Sequence, residues 1–322
     1  MLARSAQGLY WMSRYLERAE HLARLLRLQT ETLVDRPLPE IHVGWTRIYD
    51  LIGRRPPTGE LVALESDDFA LADAYTLADD LTFERSNPSS VRSCFALGRE
   101  NARQMRQCIS AEMWTSLNVS YLRLQQREIH DVWGGSPEGF FAETAAAVDT
   151  FQGIAAATMY RDEGWHFMQL GHLVERAQIL ASLLLSQIAA DRSVEEASEE
   201  GWTSLLRLYH AFEAYTDRYS VEVDPEQVAD LLATNQLLPA SLVQSLDGVS
   251  AEIAAIGPGP HPLSSEETQG EADDLASLLH ESWPVRDDTE ALLREVNDRC
   301  RALHDLVTAC YFNYPVAHAL PR

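Results

Sequence analysis

Apolar positions recur at i, i+3, i+4 and i+7 through residues 5–34, the period of an amphipathic helix. The run stops at Asp35-Arg36-Pro37-Leu38-Pro39, where the two prolines cannot continue a helix. A shorter helix is predicted over 40–53 around Trp45, closed by Gly53 and the Pro56-Pro57 turn. A polar stretch over 66–86 leads to Ser86-Asn87-Pro88-Ser89-Ser90. There a Ser or Asn caps a helix that carries Pro88 in its first turn and runs to about residue 109. Further helices are expected over about 111–132 and, after Gly134-Gly135-Ser136-Pro137, over about 138–160. No alternation of β-branched residues is long enough for a sheet. The expected fold class is all-α.

The second half repeats the order of the first. A helix carrying Glu175-Arg176 answers the one carrying Glu17-Arg18, Trp202 answers Trp45, and Leu238-Pro239-Ala240-Ser241 answers Asn87-Pro88-Ser89-Ser90. Tyr311 answers Tyr160 at the close. The offsets are 158 residues at the dyads, 157 at the Trp pair and 151 at the Pro and Tyr pairs. One duplication with one short deletion fits all of them. The pattern predicts two tandem pseudo-symmetric repeats, 1–160 and 161–322, packed as one integrated helical bundle. An irregular loop is expected at about 257–270, rich in Pro, Gly, Ser and Glu, where the first half has its 111–132 helix.

Composition narrows the function classes. The 322 residues are 46% hydrophobic, enough for a large core. The net charge of −23 disfavours nucleic acid and anionic membranes as partners. No lysine is present, which excludes a Lys Schiff base and a P-loop lysine. Cys94, Cys108, Cys300 and Cys310 show no metal-binding spacing and read as reduced, buried thiols. No signal-like or bilayer-spanning run stands out, so a soluble cytoplasmic protein is expected.

The dyads carry the candidate chemistry. On a helical wheel Arg18 shares a stripe with Trp11, Tyr15, Leu22 and Leu25, and Arg176 with Leu173, Leu180 and Leu183. Both arginines therefore point at the core, while Glu17 lies on a polar stripe with Tyr10, Arg14, His21 and Arg24. Glu175 lies on a mixed one with Met168, His172, Ile179 and Ser182. A buried guanidinium needs a carboxylate partner. Packing about a pseudo-twofold axis would let Arg18 reach Glu175 and Arg176 reach Glu17. Such a reciprocal pair reads either as a register lock or as part of a site, since Arg14, His21, Arg24 and His172 lie within two turns. Glu20 to Arg24 reads as an exposed i,i+4 pair. Arg92, Arg99, Arg103 and Arg106 form one stripe beside Glu100, a candidate contact for a carboxylate or phosphate or an acidic neighbour, and equally a solvated face. Glu163-Gly164-Trp165-His166 has di-iron spacing, but residues 5–10 lack matching ligands. No metal, cofactor, nucleophile elbow or glycine-rich phosphate loop is expected.

The opening stretch through Glu17-Arg18-Ala19-Glu20-His21-Leu22-Ala23-Arg24, with Asn87-Pro88-Ser89-Ser90, Arg99-Glu100-Asn101-Ala102, Gly164-Trp165-His166-Phe167-Met168 and Glu175-Arg176-Ala177, resembles the bacterial alpha-E family, a helical domain named for its Glu-Arg motif. The resemblance implies partnership with circularly permuted ATP-grasp proteins and with transglutaminase-like proteins, hence a role in making or processing amide bonds. It maps the family motif onto Arg14, Glu17, Arg18, Arg24, Arg92, Arg99, Glu100, Glu175 and Arg176. His172 departs from it, standing where Arg14's counterpart would be an Arg. With the leucine-rich 178–185 segment, this suggests that the first repeat works and the second is scaffold. Three readings follow. One is an accessory module of an ATP-grasp-type ligase, with Arg14, Arg18, Arg24, Arg92, Arg99, Glu100, Arg103, His172 and Arg176 as ligand contacts. The second is an amide transferase or hydrolase using Glu17 or Glu175 as general base. The third is a purely structural interaction protein.

Overall fold

A computed structural model describes residues 1–33, 38–57, 67–192, 199–259, 262–283 and 288–312. Among them the chain forms fourteen α-helices and no strand. In chain order these are α1 (Ala3–Glu31), α2 (Leu38–Leu51), α3 (Asp67–Thr82), α4 (Val91–Gln104), α5 (Ala111–Gln125), α6 (Ile129–Trp133) and α7 (Pro137–Thr158). Then come α8 (Glu163–Arg192), α9 (Glu199–Leu208), α10 (Phe212–Arg218), α11 (Pro225–Thr234), α12 (Leu242–Ile256), α13 (Pro262–Ser282) and α14 (Thr289–Val307), closed by a π-helical turn Thr308–Phe312.

Two long helices, α1 and α8, pack on each other in the middle. They run in the same sense, because Met1 meets Glu163 at one end and Arg14 meets Glu175 further along. Their backbones touch at Gly171, where a Cβ would stand 2.2 Å from the Tyr10 carbonyl oxygen. Only glycine permits that approach. Around this axis α4 and α7 cover α1, while α12 and α14 cover α8. Helix α5 bridges α4 and α7, and α13 bridges α12 and α14. Helices α2 and α9 each lean on both central helices. By length and composition α8 could cross a bilayer, against the sequence expectation that no such run exists. Here it is a core helix, half buried over that window and carrying a charged dyad at its middle.

Several elements differ from the sequence expectation, and the helix expected over 111–132 is two, α5 and α6. The polar stretch 66–86 contains α3, whose Ala74, Leu77, Ala78 and Leu81 are buried at helical spacing. Pro88 lies before its helix: Ser90 is the cap, its side chain accepting from the Ser93 backbone N–H at 3.2 Å. Ser241 caps α12 in the same way from Gln244 N–H. The expected loop at 257–270 becomes helical at Pro262, so α13 occupies the place of α5; residues 260–261 lie outside the described residues. Helix α11, opened by Pro225 and capped by Asp224, has no counterpart in the sequence reading.

Candidate functional site

The two dyads meet at the α1–α8 contact, and each glutamate is held by the opposite helix. Arg18 Nε donates to Glu175 Oε1 at 2.7 Å, and Arg176 Nε donates to Glu17 Oε1 at 2.9 Å. The second oxygen of each acid is also taken. Arg14 Nε donates to Glu175 Oε2 at 2.6 Å, and His172 Nδ1 lies 2.6 Å from Glu17 Oε2. The residues just after and three before each glutamate thus clamp the other glutamate. Arg14 completes its fork on Tyr10 Oη at 3.2 Å and Gln178 Oε1 at 2.8 Å, with its guanidinium over the Trp11 ring. Tyr10 Oη in turn lies 2.9 Å from His304 Nδ1.

The reciprocal pairing matches the expectation, but the depth of its members does not. The helical wheel sends the arginines inward, whereas the acids are the deepest groups: side-chain exposure is 0% for Glu17 and 4% for Glu175, against 27% for Arg18 and 16% for Arg176. The reason is that α1 keeps its partial exposure along Arg4, Gln7, Trp11, Tyr15 and Arg18. Helices α4, α7, α8, α2 and α9 cover its other faces, so the stripe that looks polar is buried. Burial by itself would raise both carboxyls, but Arg176 and then His172 hold Glu17 well below the usual carboxylate range. Arg14 and then Arg18 lower Glu175 as well. Both acids are ionised and saturated with donors.

Around Glu17 the space is filled. Arg24 bridges Glu20 at 2.7 Å and Asp149 at 3.0 Å and also reaches the Leu208 carbonyl. The Glu20–Arg24 pair therefore exists, but Glu20 is buried rather than exposed. Gln152 Nε2 donates to Glu17 Oε2 and Glu20 Oε2, both at 3.2 Å. Burial, then the Glu17 charge, pushes Glu20 well above the usual carboxylate range, so this neighbouring acid keeps its proton. His21 donates from Nδ1 to the Glu17 carbonyl oxygen at 3.0 Å, and burial pushes its imidazole down to about 4. Its buried Nε2 and the buried Tyr209 Oη lack hydrogen-bond partners among the described residues.

Beside Glu175 the space is open. A cavity of about 180 Å³ is lined by Arg18, His21, Gln178, Ser182, Asn297 and Arg301, among others. It shares Leu51, Ser182, Asn297 and Arg301 with a wider groove of about 510 Å³ along α2, α8 and α14. Sequence reasoning missed Gln178 and Asn297, and it named Glu20 only as the exposed partner of Arg24. Glu20 and Gln178 were accessible in principle, since each stands three residues past a dyad glutamate.

The arginine row is not drawn into this centre. Arg99 lies between the Trp114 and Tyr121 rings of α5 and donates to Asn118 Oδ1 at 2.7 Å. Arg92 covers Phe83 and donates to the Arg127 carbonyl, and Arg106 covers Trp114 beyond the end of α4. Arg103 and Glu100 form an exposed pair at 2.6 Å. Arg99 and Arg106 reach α5 by cation–π and hydrogen-bond contacts, and none of the four arginines lines the dyad cavity. Glu163 and His166 also part company: Glu163 binds the amino terminus, and His166 Nδ1 meets Glu252 at 2.6 Å. Cys94, Cys300 and Cys310 are buried free thiols, Cys108 a half-buried one.

Comparison with known proteins adds a family. Residues 1–312 match the model of Alpha-E, described as a predicted alpha-helical domain with a conserved ER motif. Uncharacterized proteins of Mycobacterium bovis and of two strains of Mycobacterium tuberculosis are 25% identical to the chain over 97% of its length. The chain spans only 37% of the length of these curated relatives. No solved structure matches.

Proposed function

The chain belongs to the alpha-E family, and from that premise we propose that it is a binding module of an ATP-grasp-type amide ligase system, accessory rather than catalytic. In this reading it holds a carboxylate- or phosphate-bearing ligand, or docks the partner enzyme, around the dyad centre. Arg14, Arg18, Arg24, Arg176 and His172 organise that centre, with Glu17 and Glu175 as counter-ions. The partners are a circularly permuted ATP-grasp protein and a transglutaminase-like protein, and the place of work is the cytoplasm. One observation carries the reading: each central acid already accepts from at least two donors. A carboxylate so held is a weak base near neutral pH. That counts against the alternative of an amide transferase or hydrolase using Glu17 or Glu175. The greater length of the relatives favours a module that works beside other domains.

The same reading includes an origin by duplication, residues 1–160 and 161–322 being tandem repeats. In support, α1 with α4, α5 and α7 is matched by α8 with α12, α13 and α14. Gly44 packs on Gln29 of α1 just as Gly201 packs on Gln187 of α8.

The test is reconstitution with a circularly permuted ATP-grasp protein of the same organism, following ATP consumption with and without the chain. The expected result is stimulation that Arg18→Ala or Arg176→Ala weakens, and no amide formation or cleavage by the chain alone. Amide cleavage by the isolated chain, abolished in a folded Glu175→Gln variant, would establish the enzyme reading instead. Stimulation unchanged in both arginine variants would reduce the centre to architecture.

A further inference from the structure

Two guanidinium groups share one carboxylate at Glu175, Arg14 on one oxygen and Arg18 on the other. Arg14 has further partners in Tyr10 and Gln178, but Arg18 donates only through Nε, and its terminal nitrogens make no hydrogen bond among the described residues. This side of the centre therefore holds an uncompensated positive charge. The Glu17 side does not, because Arg176 and Arg24 face the carboxylates of Glu17 and Asp149. A partly desolvated guanidinium that shares its counter-ion with a second one favours a further anion.

The space for that anion exists. Arg24, seven residues past Glu17, fills the region beside the first dyad, whereas the residue seven past Glu175 is Ser182. The cavity of about 180 Å³ opens there. Its wall includes Arg18 and Asn297, and among the described residues the outer nitrogens of Arg18 have no hydrogen-bond partner. Arg301 stands at the mouth, engaged among the described residues by a long 3.4 Å contact to exposed Asp298.

We propose that this cavity binds the carboxylate of an amino acid or short peptide, with Arg18, Asn297 and Arg301 holding the carboxylate. The rest of the ligand runs out along the groove between α2, α8 and α14. The site deepens the binding-module reading and rests on it. It also reverses the expectation that the second half is only scaffold, since Ser182, Asn297 and Arg301 all belong to that half. A single surplus charge selects a monoanion over inorganic phosphate, most of which is dianionic above neutral pH.

The experiment is calorimetric titration of the full chain with L-alanyl-L-alanine, its C-terminal amide, acetate and inorganic phosphate. Wild type is compared with Ser182→Leu, which fills the cavity, and Arg301→Ala, which removes an exposed side chain and leaves folding intact. The dipeptide is expected to bind, and the amide to bind about tenfold more weakly or worse. Ser182→Leu should abolish binding, and Arg301→Ala should weaken it about tenfold at an unchanged melting temperature. The proposal is overturned if the dipeptide does not bind, if the amide matches the acid, if phosphate binds more tightly, or if Arg301→Ala binds like wild type. If stimulation of the ATP-grasp partner survives in a Ser182→Leu protein that folds, the module reading stands and this site falls. Dipeptide binding without any partner stimulation would separate the two the other way.

Discussion

Glu175 and Glu17 differ in how their charge is balanced, and the difference sets what each substitution does. Replacing Glu175 by Gln leaves Arg14, 5% exposed, without a counter-ion, and breaking a buried pair from one side costs about 3–5 kcal/mol. Arg18→Ala removes a rim group from the same acid and leaves Arg14 in place, so it is expected to cost under about 2 kcal/mol. Urea denaturation of the two variants checks the order, and equal losses would contradict the depth assigned here. His21 gives a pH dependence with a definite sign. Burial lowers its imidazole from 6.5 to about 4, so between those values the unfolded chain binds a proton that the folded chain refuses. The stability it contributes is whole above about pH 6.5 and declines as the pH falls toward 4. Going from about pH 7.5 to about pH 5 should remove about 2 kcal/mol on this account. His304, lowered to about 4 first by burial and then by Arg14, acts in the same direction. A His21→Leu variant should therefore keep part of the slope and lose the rest. An unchanged slope would mean that His21 is not desolvated.

At the scale of elements, the bundle depends on how closely α1 and α8 approach. Gly171→Ala would drive a methyl into the Tyr10 carbonyl and is expected to cost about 2–3 kcal/mol through forced separation of the helices. Gly153 of α7 has open space at its Cβ position, so Gly153→Ala should stabilise by about 0.5–1 kcal/mol. Melting curves that moved in the same direction for both variants would refute the packing argument. The central helices and their dyads were legible because dense apolar periodicity and a twice-written Glu-Arg leave few alternatives. Reciprocal pairing followed from charge neutrality alone. What escaped were elements whose buried faces are small or polar. In α3 the apolar positions 74, 77, 78 and 81 stand among Asp73, Asp79 and Asp80, which hide the period. In α13 the first buried positions are Ser265 and Thr268, satisfied by Gly259 N–H and the Ser264 carbonyl. Hydrophobic spacing does not register such residues. The row from Arg92 to Arg106 was visible as a stripe, but the aromatic face of α5 that it meets depends on tertiary packing, which one sequence does not display.

Over the whole molecule, the dyad exchange joins residues 1–160 to residues 161–322 more firmly than their connection through exposed Tyr160 does. Each half holds an acid whose partners lie in the other: Glu17 needs Arg176 and His172, and Glu175 needs Arg14 and Arg18. Each central helix also exposes an apolar face without its companion, since α1 and α8 bury one another along their length. A half expressed alone must solvate that face and leave a carboxylate without its guanidinium. Residues 1–160 and 161–322 produced separately are therefore expected to lack a cooperative thermal transition, whereas the two co-expressed should co-purify and melt as one unit. Moderate salt is needed in the measurement, because both halves are net acidic and repulsion would oppose their association. Gly171→Ala in the second fragment should weaken the reassembled pair, as it blocks the same helix contact. If either fragment alone unfolds cooperatively with full helicity, the dyads are joints between independent domains and not the centre of one bundle.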